Sequence, residues 1–147
     1  MSDRLEIQDT LTRYCTAIDS GDYDGLDSVF TADAFIDYTS AGGVKGTLPE
    51  IKEWLAQALE RFPVTQHAIT NFSIQLDGDT ATSRCAFYNP MGLRMPAEGD
   101  KLSMLFFGGY YNDKLVRVHG DWRISERIEE SVWKYGEFPE GSSTPEQ

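Results

Sequence analysis

The chain has 147 residues, and 13 Lys and Arg stand against 24 Asp and Glu, so its formal charge is −11. Forty per cent of the residues are hydrophobic and 12% are aromatic, which is the composition of a folded domain and not of a disordered chain. The negative charge would repel phosphate backbones, which argues against nucleic acid as a partner. The longest apolar runs, such as residues 104–107, are far shorter than the ~20 residues that span a bilayer, so no membrane association is expected.

The N-terminus and the cysteines indicate the compartment. Polar residues follow Met1 at once, where a secretion signal would be apolar. Cys15 and Cys85 form neither a disulfide framework nor a zinc-binding spacing. We therefore expect a cytoplasmic protein. Because no phosphate-binding loop, dinucleotide fingerprint or metal-spaced histidine cluster occurs, we expect no cofactor and no metal.

The first sixty residues predict three helices with one strand among them. From Ile7 onward, apolar residues recur in steps of three and four, which is typical of an amphipathic helix. Thr47 and Glu50 form a capping box that opens the third helix. The helices are predicted at residues 3–20, 23–30 and 47–62, and the strand at residues 34–38.

The rest of the chain predicts long antiparallel strands, at residues 65–76, 80–95, 102–118 and 122–133. In the first of them His67 and Ile69 share one face, whereas Phe72 and Ile74 share the other, so a β-bulge is predicted near Asn71. Helices followed by strands predict an α+β fold. We expect a cone-shaped barrel, a strongly bent antiparallel or mixed sheet packed against the three helices. Residues 1–135 are predicted to be one domain and residues 136–147 a flexible tail.

Three polar residues are candidates for chemistry. His67 needs a partner for its ring N–H if it faces the interior, although a core histidine satisfied by a backbone carbonyl is the ordinary alternative. Asp19 lies at the end of the first helix, where the helix dipole opposes a carboxylate, although Asp is also common in turns. Asn89 alternates with Phe87 and Met91. It either forms a hydrogen bond to a carbonyl or hydroxyl oxygen of a ligand, or it is a polar residue at a strand end.

Tyrosines and apolar residues complete the predicted site. Tyr14 and Tyr38 can offer phenol groups to a ligand oxygen, although buried tyrosines commonly serve packing. The candidate cavity wall, whose members can equally be plain core, consists of Phe35, Trp54, Leu55, Ile69, Phe87, Met91 and Phe106.

Several segments, in this order, resemble the nuclear transport factor 2-like superfamily in its SnoaL-like branch. They are Tyr14 and Asp19 with residues 20–26, then residues 30–34, 65–71, 109–113 with 116–117, and 120–124. Within the branch the chain is similar to scytalone dehydratase, bile-acid 7α-dehydratase and hexachlorocyclohexane dehydrochlorinase. There an aspartate at the end of the first helix and a histidine on a following strand form a dyad, and the histidine removes a proton while a hydroxyl or halide leaves.

The resemblance implies residue roles and a reaction class. Asp19 matches the aspartate of the dyad, His67 matches the histidine, and Tyr14 and Tyr38 match tyrosine positions of the two dehydratases. It implies a cofactor-independent acid–base enzyme, a dehydratase (lyase) acting on a small hydrophobic substrate like a steroid, a terpenoid or an aromatic polyketide. The alternatives are an isomerase or cyclase of the same fold and a non-catalytic small-molecule-binding protein.

The chain also lacks one active-site residue of scytalone dehydratase, and the resemblance implies an oligomer. Scytalone dehydratase has a second active-site histidine on the strand occupied here by residues 87–91, and this chain has none there. Protonation of a leaving hydroxyl would then fall to Tyr14, Tyr38 or His67. A homodimer or higher homo-oligomer is expected through the outer face of the sheet, where we place Tyr111, Val116, Val118 and Trp133.

Overall fold

The computed structural model describes residues 1–138. Two α-helices, α1 (Asp3–Ser20) and α2 (Leu48–Ala58), are accompanied by three 3₁₀ helices, Tyr23–Ser28, Thr39–Ala41 and Pro96–Glu98. The strands are β1 (Phe30–Asp37), β2 (Lys45–Thr47), β3 (Val64–Thr65), β4 (Ala68–Asp77), β5 (Thr80–Met95), β6 (Lys101–Val118) and β7 (Asp121–Tyr135). Most of the tail predicted at residues 136–147 lies outside the described residues.

The strands form one bent mixed sheet in the order β2-β1-β7-β6-β5-β3, with β4 also paired to β5. Strand β1 runs parallel to β7, and the other pairs are antiparallel. The predicted α+β class, with a bent mixed sheet against three N-terminal helices, is confirmed. Within residues 1–138 the sheet does not close into a barrel. Strands β3 and β4 pair only with β5 and form one edge of the sheet, and β2 forms the opposite edge.

The predicted β-bulge lies where the alternation of β4 changes phase. The register between β4 and β5 shifts between Thr70 and Ser73, and Asn71 adopts a left-handed φ of 56°, which asparagine tolerates better than most residues. The structure also interrupts the predicted strand earlier, since β3 ends at Thr65 and β4 begins at Ala68. This gap leaves the backbone of His67 outside the sheet ladder.

The end of α1 is fixed by a glycine in the left-handed conformation. Gly21 has φ 71°, its N–H donates to the Ile18 carbonyl, and the Asp22 N–H donates to the Ala17 carbonyl. This is the Schellman pattern of helix termination. It holds Asp19 in the last turn of the helix, at the edge of the sheet. Neither α1 nor any other helix in residues 1–138 is long and apolar enough to cross a membrane.

The outer face of the sheet carries a row of aromatic side chains. Tyr88 stacks on Phe106 and on Trp133, and Phe106 lies beside Tyr135. Trp133 is 46% exposed, as expected, but Tyr111 is 1% exposed and belongs to the core. The placement of Tyr111 on the outer face was therefore wrong. Self-association through this face stays a prediction.

Candidate active site

A cavity of about 140 Å³ lies between the inner face of the sheet and the helices. Aromatic and aliphatic side chains make most of its wall, including Trp54, Leu55, Phe87, Met91 and Phe107. Its polar side chains are Tyr14, Tyr38, His67, Asn89, Glu129 and Ser131. Because a buried cavity of about 150 Å³ takes up benzene, a cavity of this size accommodates a ligand of roughly one aromatic ring.

Asp19 holds His67 at two points. Its Oδ1 lies 2.7 Å from Nδ1 of the imidazole, and its Oδ2 accepts the backbone N–H of His67 at 2.7 Å. The side chain of His67 is 7% exposed and that of Asp19 is 22% exposed. Since a carboxylate only accepts hydrogen bonds, the contact places the ring proton on Nδ1. In the neutral imidazole the lone pair then lies on the other nitrogen, Nε2, which has no hydrogen-bond partner in the described part of the chain.

This arrangement explains why a carboxylate is tolerated at the C-terminal end of α1. The helix dipole disfavours Asp19 there, but the gap between β3 and β4 supplies the otherwise unpaired N–H of His67. The Thr65 hydroxyl adds a third polar neighbour, 3.4 Å from Asp19 Oδ1 and 3.1 Å from Asn89 Oδ1. Asn89 is thereby oriented by Thr65, which leaves its amide nitrogen available to a cavity ligand.

Two tyrosines form the next part of the site. The hydroxyls of Tyr14 and Tyr38 lie 2.6 Å apart, and the Tyr14 ring meets the His67 ring edge to face at 6.1 Å between centroids. Burial is the largest cause that raises the pKa of both phenols well above the ordinary value, so both stay protonated near neutral pH. In a hydrogen-bonded pair of phenols, one O–H donates to the oxygen of the other. The second O–H is left to donate to a ligand oxygen.

A buried ion pair lies beneath the tyrosines. Arg127 donates from Nε and Nη2 to the two carboxylate oxygens of Asp113, each at 2.8 Å. Its guanidinium carbon lies 4.1 Å from the Tyr14 ring centroid and 4.0 Å from that of Tyr111. The cation is thus packed between two aromatic faces, a favourable geometry for a charge removed from water.

Glu129 is a further titratable group at the cavity. It follows Ile128 on β7, which pairs with Asp37 at the end of β1. Its backbone carbonyl accepts the Ser40 hydroxyl at 2.7 Å. Burial is the first cause that raises the pKa of Glu129 to about 7, and Arg127 acts in the opposite direction. No hydrogen bond to its carboxyl group occurs within residues 1–138.

The two cysteines are buried in the core. Burial is the largest cause that raises the pKa of Cys15 to about 11 and that of Cys85 to about 12. Such thiols are poor nucleophiles near neutral pH. Within residues 1–138, no group of three or more His, Cys, Asp and Glu side chains is arranged to hold a metal ion.

The structure brings most of the predicted site together. The predicted residues that line the cavity are Tyr14, Tyr38, Trp54, Leu55, His67, Phe87, Asn89 and Met91. Asp19 lies behind His67. Three wall predictions were wrong in position among the described residues: Ile69 packs against the core beside the cavity, Phe106 lies on the outer face, and Phe35 is 41% exposed.

The residues that sequence reasoning missed are Glu129, Arg127 and Asp113. They lie in stretches where charged and apolar residues follow one another without a regular alternation, so no face assignment was possible. The one available signal was the spacing of Arg127 and Glu129, which share a face of β7 once the strand is in register. The predicted Phe106 is replaced in the wall by Phe107.

Replacing Asp19 by asparagine is expected to move the ring proton of His67 from Nδ1 to Nε2. The backbone N–H of His67 can only donate, so the amide oxygen of the new side chain stays with it and the amide NH₂ turns toward Nδ1. Nδ1 must then accept, and Nε2 carries the proton. Imidazole ¹⁵N shifts measure the tautomer, with exposed His119 as reference and Thr65→Val as a control that should leave it unchanged. A proton that stays on Nδ1 in Asp19→Asn would contradict the geometry.

Comparisons with known proteins agree with this fold. A model of the SnoaL-like domain family matches residues 1–128. The uncharacterized protein Rv2910c of Mycobacterium tuberculosis is 50% identical over 129 residues, which cover 88% of this chain and 85% of that protein. Kfla4162 from Kribbella flavida superposes with a TM-score of 0.82 at 26% identity, covering 90% of this chain and 93% of that one.

A more distant structure shares the fold alone. Type 2 of the hexachlorocyclohexane dehydrochlorinase LinA superposes with a TM-score of 0.76 at 20% identity and covers 97% of this chain and 93% of its own. The predicted resemblance to the SnoaL-like branch is confirmed. Because the family model spans most of the sequence and a half-identical relative aligns over nearly all of it, this chain belongs to the SnoaL-like domain family.

Proposed function

We propose that this chain is a cofactor-independent acid–base lyase that eliminates water from a small, largely apolar substrate. The observation that carries the proposal is the pairing of His67 Nδ1 with Asp19, which leaves the unpaired Nε2 on a side chain that lines an apolar cavity. A neutral imidazole oriented by a carboxylate is a suitable general base. Asp19 fixes the tautomer and stabilises the imidazolium that forms when His67 accepts a proton.

The remaining polar groups suit a substrate with an oxygen function. Proton removal next to a carbonyl develops negative charge on the carbonyl oxygen, and the free O–H of the Tyr14–Tyr38 pair is placed to donate to it. Asn89 offers its amide nitrogen as a second donor. The cavity volume of about 140 Å³ favours compounds with a single ring over a steroid. A hydroxylated aromatic ketone therefore matches both the size and the polarity of the site.

The comparisons add support of a general kind. LinA is a dehydrochlorinase by name, and such an enzyme also removes a proton from carbon while a leaving group departs. Its low identity to this chain makes the reaction class an analogy, so the proposal depends on the site geometry.

We expect wild-type protein to convert the aldol adduct of acetone and benzaldehyde into benzylideneacetone, and His67→Ala to lose at least about 10²-fold in kcat/KM, since it removes the general base. Hydroxylated steroids, terpenoids and aromatic polyketides complete the test panel. Product formation is followed by absorbance or mass spectrometry. The thermal shift given by bound product should persist in His67→Ala, because the cavity wall is retained.

The matched control is His119→Asn, which removes the only other histidine of the sequence. His119 lies in an exposed turn at φ 51°, a conformation that asparagine adopts readily, so the activity of this variant should equal that of the wild type. If the wild type binds members of the panel without converting any of them, the chain is a non-catalytic small-molecule-binding protein and the lyase proposal is wrong. Full turnover in His67→Ala would refute the assignment of the base.

A further inference from the structure

A dehydration needs two proton transfers, one from carbon and one to the departing oxygen. His67 accounts for the first. The second needs an acid close to the same cavity, because hydroxide is a poor leaving group. The structure contains a cavity carboxyl group that the proposed chemistry has not used.

We propose that Glu129 is the acid that protonates the leaving hydroxyl, and this inference rests on the lyase function proposed above. Glu129 lines the cavity together with Tyr14, Tyr38 and His67. The His67 ring lies against the Tyr14 ring, while Glu129 lies on the β7 side, next to the end of β1 that precedes Tyr38. The two proton-transfer groups and the tyrosine pair thus line the same cavity.

The backbone around Glu129 is held firmly. Ser40 donates its hydroxyl to the Glu129 carbonyl at 2.7 Å, and the Ser131 N–H donates to the same Ser40 oxygen at 2.9 Å. One serine therefore ties the turn after β1 to both sides of this short stretch of β7. A proton donor has to be positioned within hydrogen-bond reach of its substrate, and such a clamp limits its movement.

The carboxyl group itself is unpaired. Within residues 1–138 neither of its oxygens has a hydrogen-bond partner, whereas the neighbouring Glu130 binds Arg84 at 2.6 Å on the outer face. The titratable and charged groups that face Glu129 are Arg127 on β7, Asp37 on β1, Tyr38 beyond it, Tyr14 on α1 and Tyr111 on β6. Burial raises its pKa to about 7, so the protonated form is well populated at neutral pH.

The step is balanced in atoms and electrons. His67 Nε2 takes the proton next to the carbonyl, and the electron pair of that C–H bond becomes the second bond of the new C=C. The C–O bond breaks with its electron pair on oxygen, which takes the Glu129 proton and leaves as water. The products are the alkene and water. The imidazolium then returns its proton through solvent to the Glu129 carboxylate.

The test compares two leaving groups on one carbon skeleton, the aldol adduct of acetone and benzaldehyde and its O-acetyl ester. Both give benzylideneacetone, but acetate leaves as a stable anion and needs no proton. In Glu129→Gln we expect kcat/KM for the hydroxyl compound to fall by about 10²-fold relative to wild type. The value for the acetate should change little. A merely structural role would reduce both alike.

The control variants separate this inference from the proposed function. Glu130→Gln, one residue away on the outer face, should leave both rates unchanged. His67→Ala should lose activity toward both substrates. If it does not, the lyase proposal itself fails. If His67→Ala loses both and Glu129→Gln keeps full activity on the hydroxyl compound, the role of Glu129 is overturned while the lyase stands.

An infrared measurement decides the role of Glu129 without turnover. A protonated-carboxyl C=O band that is present near neutral pH in wild type and absent from Glu129→Gln is expected. Its frequency should shift when the hydroxyl compound binds to His67→Ala, in which turnover is lost, because the carboxyl O–H then donates to the hydroxyl oxygen. The absence of this band near neutral pH, or a band that does not shift when the hydroxyl compound is bound, would overturn the inference.

Discussion

Replacing Asp113 by alanine is expected to lower the free energy of unfolding by about 3–5 kcal/mol, one of the largest effects of any single substitution in this fold. Asp113 and Arg127 are 0% and 1% exposed, so water does not reach the pair. Without the carboxylate, the guanidinium keeps its charge in an apolar environment and loses two hydrogen bonds. Its Nη1 already has no partner among the described residues.

The loss extends to the cavity because Arg127 supports its floor. The guanidinium packs between the rings of Tyr14 and Tyr111, and an unpaired cation that moves toward water would release both. Urea denaturation at neutral pH measures the change. Thermal denaturation followed by near-ultraviolet circular dichroism adds a readout of tyrosine packing.

Two controls separate an unpaired charge from simple loss of packing. Asp113→Leu combined with Arg127→Met removes both charges, and apolar replacement of a buried pair is often nearly neutral, so much of the stability should return. Glu130→Gln breaks an ion pair whose members are 46% and 48% exposed and should change stability little. A loss below about 1 kcal/mol in Asp113→Ala would show that water hydrates Arg127 in the folded state.

Local signals in the sequence were enough to predict the helices and one irregular strand. The spacing of apolar residues predicts α1, and Ser20, Gly21 and Asp22 predict its end, where the structure has a Schellman pattern. The phase change around Asn71 predicts the β-bulge of β4. Each of these features depends on residues within a few positions, so no tertiary information is needed.

The positions of Arg127 and Glu129 depend on a second bulge that leaves no such signal. Between β6 and β7 the register shifts from the pair Leu115–Ile124 to the pair Lys114–Glu126, so Ser125 is skipped. Trp122 and Ile124 face inward before this bulge, and Arg127, Glu129 and Ser131 face inward after it. The inward phase of β7 is set by its partner strand, which the sequence of β7 alone does not specify.

The orientation of Phe106 could not be predicted for a different reason. Residues 104–107 are all apolar, so alternation does not say which of them faces the cavity. In the structure Leu105 and Phe107 face inward and Phe106 joins the aromatic row outside. The pairing of Asp19 with His67 was suggested by the family resemblance, but the hydrogen bond to the His67 backbone follows from the gap between β3 and β4, which the sequence did not indicate.

Glu129→Gln is expected to stabilise the protein increasingly as the pH rises. The folded pKa of Glu129 is about 7, against an ordinary value of 4.5. Between these values the unfolded chain has lost a proton that the folded protein still holds, so wild-type stability falls as the pH rises and levels off above the folded pKa. Glutamine does not titrate. At about 1.4 kcal/mol per pKa unit, the stability difference should grow by about 2.5 kcal/mol between about pH 5 and 8.

The change of this difference with pH is the informative quantity, because a constant offset between the variants would reflect packing alone. Urea denaturation from about pH 5 upward avoids the isoelectric point near 4.5, where a protein associates most readily. Glu130→Gln provides a control without such a slope, since Arg84 is the first cause that lowers the pKa of Glu130, and the stabilisation that this gives is lost only at pH values below the ordinary pKa of 4.5. If the free energies of unfolding of wild type and Glu129→Gln change in parallel with pH, the Glu129 carboxyl is hydrated in the folded protein. Glu129 would then be ionised at neutral pH and could not act as the acid.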